Sequence, residues 1–165
     1  MKKQRVFIDM DGVLAEYNVD ATLEDMESEG YFRNLAPNSD ILAAVKYLVE
    51  ENNYEVFVLS SVLPSIENSA KADKNAWLNE YLPVIDSDHR IFPLCGTDKV
   101  AAVPQFSSTD VLCDDYSENL HKWHSAGGKA IKILNGINGN NGTFKGTRLK
   151  IDHKDQLLKT IKMAV

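Results

Sequence analysis

The stretch Val6-Phe7-Ile8-Asp9-Met10-Asp11-Gly12-Val13-Leu14 constrains this chain more than any other. An apolar run stops at two acidic residues separated by one, and a glycine follows at once. Such a run, closed by a turn, reads as a buried strand whose carboxyl end carries the acids, the edge where parallel α/β sheets keep their ligands. Residues two apart share a face of a strand, so Asp9 and Asp11 converge on one point if the extended geometry continues past Ile8. Gly12 supplies a positive φ or a close backbone approach to a ligand. The expectation is a cradle for a divalent cation.

Beyond this motif, short apolar runs alternate with amphipathic segments. Strands are expected near Arg5 to Ile8, Glu55 to Leu59, Arg90 to Leu94, Val111 to Cys113 and Ala130 to Leu134. Between them, Ile41, Leu42, Val45, Leu48 and Val49 recur at helical spacing behind a Ser39-Asp40 cap, and Asn68 to Tyr81 carries Trp77, Leu78 and Tyr81. A closing helix is expected over Asp152 to Met163, and Asn135 to Gly142, rich in Asn and Gly, reads as an irregular turn. This alternation predicts an α/β fold, a doubly wound, Rossmann-like parallel sheet. At 165 residues the chain is one domain, with residues 16–38 as a small cap inserted after the first strand.

The bulk properties narrow the partners. A net charge of −6 without any Lys/Arg block excludes the electrostatic footprint of a nucleic-acid polymer, while a few placed cations still suffice for a small phosphorylated ligand. The basic Met1-Lys2-Lys3-Gln4-Arg5 is followed by an apolar run too short for a secretory signal, and nothing approaches a membrane span. Cys95 and Cys113 are far apart without metal-type spacing, as in a reduced, cytoplasmic protein. Nothing in the sequence sets the oligomeric state.

Three further points decide whether the first motif is chemistry or an ordinary acidic turn. Val56-Phe57-Val58-Leu59 ends in Ser60-Ser61, Val111-Leu112-Cys113 ends in Asp114-Asp115, and Lys99 lies between them. A parallel sheet brings such ends to one edge. A hydroxyl, a lysine and two acidic pairs form the inventory for phosphoryl transfer to a carboxylate nucleophile, with a metal neutralising charge. Two like charges about 4 Å apart cost roughly 4 kcal/mol at an effective dielectric near 20, so clustered carboxylates facing a phosphate need a cation. Tyr17, Tyr31 and Phe32 in the insertion serve either as a cap core or as a stacking surface for a nucleobase. His121 and His124, three apart on a helix, have no evident third ligand and read as a surface face.

Asp9-Met10-Asp11-Gly12-Val13, Ser60, Lys99 and Asp114-Asp115 resemble, in order and context, the four motifs of the haloacid-dehalogenase-like phosphohydrolases. More narrowly, Gly30-Tyr31-Phe32-Arg33-Asn34-Leu35-Ala36-Pro37, Ser60-Ser61 and Lys74-Asn75-Ala76-Trp77-Leu78-Asn79-Glu80-Tyr81 are similar to the 5′-nucleotidase branch with the cytosolic 5′(3′)-deoxyribonucleotidases. The resemblance implies Asp9 as an ionised nucleophile and Asp11 as proton carrier, its acidity weakened by negative neighbours or burial. Ser60 donates to a phosphoryl oxygen and Lys99 offsets charge. Magnesium is the implied ion, held by Asp9, the Asp11 carbonyl and Asp114, with Asp115 acting through water or on Lys99. Ser61, Lys74, Phe32 and Tyr17 are the implied substrate contacts, and the substrate a nucleoside 5′-monophosphate, deoxyribonucleotides favoured.

Three other readings stay open from the residues, and one of them, a catalytically silent nucleotide-binding module, predicts ligand binding without turnover. A sugar or other small-molecule phosphatase would use the same chemistry. A phospho-accepting receiver domain also gathers acids, a hydroxyl and a lysine around magnesium, but its acidic pair follows the first strand and its acceptor the third, and the insertion would have no role.

Overall fold

Six parallel strands define the fold of this computed structural model, which describes residues 3–136 and 142–164. They are β1 (Gln4–Ile8), β2 (Tyr54–Leu59), β3 (Arg90–Ile91), β4 (Val111–Asp114), β5 (Lys129–Ile133) and β6 (Thr147–Leu149), in the order β3-β2-β1-β4-β5-β6. The sheet is thus the expected doubly wound one. The helices are α1 (Leu23–Glu27), α2 (Ser39–Val49), α3 (Glu67–Tyr81), α4 (Lys99–Ala102), α5 (Ser117–Ser125) and α6 (Gln156–Ala164). No described helix is long and apolar enough to cross a membrane.

The apolar β1 run is buried on both faces, as a central parallel strand must be. Val6 and Ile8 join a core with α2, α3 and α6, including Leu48, Trp77 and Ile161, while Phe7 joins a second core with Leu112, Leu120 and Trp123. Neither tryptophan is exposed; the Trp77 indole donates to the Leu35 carbonyl at 2.8 Å and that of Trp123 to Asp110 at 3.2 Å.

Register fixes the level of the strand ends. Ile8 pairs with Val58 on one side and Cys113 on the other, and Leu59 pairs with Ile91. The next residues, Asp9, Ser60 and Asp114, therefore reach one rim. Asp9 and Asp114 lie where the strand order reverses, which opens a crevice above the sheet.

Four local details differ from the sequence reading, the first being that the closing helix expected from Asp152 begins at Gln156. The strand at Arg90 stops at Ile91, because Pro93 has no N–H for the ladder, and contact resumes only as a bridge between Val62 and Leu94. The cap of α2 is Asn38, whose side chain accepts from the Ile41 N–H at 3.3 Å, not Ser39-Asp40. An additional edge strand, β6, continues the sheet past β5. Most of the turn expected at Asn135 to Gly142, residues 137–141, lies outside the described residues.

The segment between β1 and α2 leaves and returns at one place. Glu16 N–H donates to Ala36 O at 2.8 Å, Asn38 N–H donates to Leu14 O at 2.8 Å, and Ala15 bridges Pro37. Within it, Thr22 and Asp25 form a capping box that starts α1.

Candidate active site

At the end of β1 the chain turns sharply, with Val13 and Ala15 N–H groups both donating to Met10 O, at 3.1 and 2.9 Å. Gly12 takes φ +78°, and a Cβ there would lie 2.7 Å from Asp115 Oδ2. The positive φ foreseen for this glycine is present, and the group that its backbone approaches closely is the Asp115 carboxylate. The Asn135 amide clasps the arrangement by donating to Gly12 O and, at 3.0 Å, to Asp115 Oδ2.

Lys99 enters from the first residue of α4 and is almost fully buried. Its ammonium donates to Asp9 Oδ1 at 2.9 Å, Asp114 Oδ2 at 2.7 Å and the Leu59 carbonyl at 2.9 Å. Burial alone would lower its pKa, but the carboxylates of Asp114 and Asp9 outweigh that and raise it. Asp114 has no solvent exposure; Oδ1 accepts the Tyr116 N–H at 2.8 Å and Oδ2 also accepts from Asn119 at 2.9 Å.

The sequence reading takes Asp9 as an ionised carboxylate, and the assembled fold adds burial to its surroundings. Burial pushes it up to about 7, opposed by Lys99 and assisted by Asp114, Asp11 and Asp115. Nor is negative charge what touches Asp11: Lys74 Nζ lies 2.6 Å from its Oδ2. Asp11 Oδ1 is buried and has no hydrogen-bond partner among the described residues.

Asp9, Asp114 and Asp115 each offer a carboxylate oxygen, all within 4.8 Å of one another, and all three residues are buried. Buried carboxylates this close need a cation beyond one lysine, and the donor set is all oxygen, as magnesium requires. The residues present fit that ion.

Asp9, Asp11, Tyr17, Ser60, Ser61 and Lys99 line one cavity of about 280 Å³, together with Asp115, Tyr116, Asn119 and Cys95. An apolar cavity of about 320 Å³ adjoins it, sharing Asp11, Tyr17, Ser61 and Cys95 and adding Leu23, Met26, Phe32 and Leu63. Phe32 belongs to a small core with Val62, Ile66 and Ala70 and also lines this wall. Lys74 lines neither cavity; it lies beneath them with no exposure.

Four participants were not singled out in the sequence: Tyr116, Asn119, Lys132 and Asn135. Lys132, nearly unexposed in β5, donates to the Asp115 carbonyl at 2.6 Å and to Ser117 Oγ at 3.2 Å, and burial lowers its pKa. A lone lysine inside Ala130-Ile131-Lys132-Ile133 is the signal that could have found it. His121 and His124 sit on α5 against Phe144, with His121 Nε2 3.0 Å from Thr143 Oγ1. Among the described residues, the acidic trio alone has metal-ligand geometry.

The fold and this acidic rim define a haloacid-dehalogenase-like phosphohydrolase, an enzyme that removes phosphoryl groups. The sequence pattern of the family described as "5′ nucleotidase, deoxy (Pyrimidine), cytosolic type C protein" matches residues 18–155, and the chain belongs to that family. No curated protein matches the sequence.

Among solved structures, D,D-heptose 1,7-bisphosphate phosphatase from B. bronchiseptica, complexed with magnesium and phosphate, shares the fold at TM-score 0.64 and 13% identity, with 98% of this chain and 99% of that chain covered. The Burkholderia thailandensis enzyme of the same name gives 0.61 and 17%, with 98% of each chain covered. A chain of the Pnkp1/Rnl/Hen1 complex gives 0.56 and 15%, covering 79% of this chain but only 46% of its own length.

Proposed function

We propose that this protein is a magnesium-dependent phosphomonoesterase that works through an aspartyl-phosphate on Asp9 and hydrolyses nucleoside 5′-monophosphates, deoxyribonucleotides favoured. The observation that carries the reading is Asp9 itself. It stands at the strand-order reversal, facing the cavity, with Lys99 on Oδ1, so that Oδ2 is the attacking oxygen.

In the first step Oδ2 attacks phosphorus, the bond to the leaving oxygen breaks, and that oxygen keeps the electron pair and takes a proton from Asp11. In the second, water attacks the same phosphorus, gives its proton to Asp11, and the Asp9–phosphorus bond breaks to release inorganic phosphate. Ser60 donates its hydroxyl hydrogen to a phosphoryl oxygen, with Ser61 beside it, and Lys99 offsets negative charge on Asp9 and Asp114. Asp9, Asp114 and Asp115, with the Asp11 carbonyl, would hold magnesium, which neutralises charge on the phosphoryl oxygens when bound.

The apolar cavity bounded by Tyr17 and Phe32 supports a leaving group with a flat, apolar part, hence a nucleoside over a bare sugar. Residues 16–38 act as the cap of a single phosphohydrolase domain, and the two free cysteines support a cytoplasmic setting. The receiver alternative is disfavoured by the order of the acids, Asp-x-Asp after β1 and Asp114-Asp115 at β4, and by an insertion that would have no role in it.

Phosphate release from deoxyribonucleotides, ribonucleotides and sugar phosphates, with and without magnesium, tests the proposal. Nucleoside monophosphates should be cleaved only with magnesium, and D9N should be inactive though folded. Turnover by D9N refutes the nucleophile; cleavage of sugar phosphates alone refutes the substrate class.

A further inference from the structure

We infer that Lys74 is a positioning residue for proton transfer and not a phosphate ligand: it pins one oxygen of Asp11 so that the other, Oδ1, carries the proton. The inference rests on the proposed function and assigns a task to a group that the reaction scheme leaves out.

Lys74 lies in the middle of α3 and has no exposed surface. An ammonium has three N–H donors, and here three acceptors take them: Asp11 Oδ2 at 2.6 Å, Ser60 Oγ at 2.9 Å and the Ser61 carbonyl at 3.1 Å. Lys99 has three acceptors too, but it lines the cavity where the phosphoryl group would sit, and Lys74 does not. A phosphoryl oxygen could reach Lys74 only by displacing the parts of the site that Lys74 holds.

The two oxygens of Asp11 are consequently unlike. Oδ2 faces an ammonium at short range, so a proton there would point at another donor. Oδ1 is buried and without a partner among the described residues, while Asp11 lines both the catalytic and the apolar cavity. A buried oxygen is seldom left unpaired, and one at a cavity wall marks the place of a group that arrives with the substrate. The leaving oxygen in the first step, and the attacking water in the second, are the groups that need it.

Lys74 also donates to Ser60 Oγ, whose own hydroxyl hydrogen is available to a phosphoryl oxygen with or without that bond. The ammonium also lies 5.0 Å from the centre of the Phe32 ring, so the insertion packs on the residue that orients the proton carrier.

The test compares leaving groups, because proton donation matters for a poorly departing alcohol and little for a nitrophenolate. Lys74→Met should lower kcat for an alkyl phosphate about 100-fold but for p-nitrophenyl phosphate by less than about 10-fold, within the range of general acid catalysis. Inhibition by inorganic phosphate should shift less than about threefold in Ki, a criterion set well below the cost of losing a charged ligand. The double variant K74M/D11N should be no slower on the alkyl phosphate than D11N alone, since the two residues act as one unit.

Equal losses on both esters, a Ki for phosphate that rises with them, or multiplicative losses in the double variant overturn the inference. If K74M does not fold, Lys74→Gln, which keeps an amide donor, should show the same selective loss in weaker form, and an equal loss there overturns it as well. D9N reports on the phosphohydrolase reading independently, so failure of one is distinguishable from failure of the other.

Discussion

Gly12 lies so close beneath Asp115 that the smallest side chain would stand 2.7 Å from its carboxylate, at a φ of +78° that disfavours any side chain. Gly12→Ala should therefore cost about 1–3 kcal/mol of stability through backbone strain alone. It should also push Asp115 out of the acidic trio. Denaturant unfolding reads the first effect; a smaller rise in Tm on adding magnesium reads the second.

Lys99→Met leaves Asp9 and Asp114 without their shared cation in a buried place. Activity should fall about 100-fold or more, the scale on which a single charge-stabilising donor acts. The metal-free variant should be less stable than the parent, whereas its gain in Tm from magnesium should be larger, because a dication then answers charge that Lys99 answered before. Thermal unfolding with and without magnesium checks both halves.

At the opposite end of the sheet, Arg5 grips Asp110, with Nε 3.0 Å from Oδ1 and a second contact to Oδ2, and Asp110 also accepts the Ser107 N–H at 2.8 Å. Asp110 is almost unexposed, and Asp110→Ala removes the carboxylate while Arg5 keeps the Pro104 and Gln105 carbonyls, each at 2.9 Å. A loss of about 1–3 kcal/mol is expected. Because the pair is remote from the Asp9 rim, kcat per folded molecule should be unchanged, as measured well below the variant's Tm.

His89 gives the fold a pH dependence of its own. The hydrogen bond that His89 Nδ1 donates to Asp86 at 2.7 Å raises its pKa, burial opposes this, and Glu55 at 3.2 Å adds to the rise. A histidine raised in the folded state stabilises fully below its unfolded value of about 6.5 and loses that contribution as pH climbs through the folded value. His89→Gln should then destabilise more at about pH 5.5 than at about pH 9, compared by urea unfolding.

Much of this architecture is written locally. The β1 run, its two acids and Gly12 are adjacent in sequence, and the rim of Asp9, Ser60 and Asp114 follows once parallel pairing is assumed. What escaped is decided by contacts at a distance. Lys71 and Lys74 share a helical face by spacing, yet Lys71 pairs with Glu67 on the surface while Lys74 is driven under the sheet edge by Asp11 and Ser60. Strand β6 is three residues, Thr-Arg-Leu, with no alternation to reveal it; it exists because β5 offers an edge. The elevated pKa of Asp9 arises from burial that only the assembled fold imposes.

The insertion begins and ends at one seam, Leu14 to Glu16 stitched against Ala36 to Asn38. A chain that leaves and re-enters through the same doorway can change in length or composition without pulling on the turn that carries Asp9, while Phe32 reaches back to Lys74. Exchanging residues 17–31, which keeps Phe32 against Lys74, should on the proposed reading redirect what is dephosphorylated and leave the reaction in place, as compared on a panel of phosphate esters.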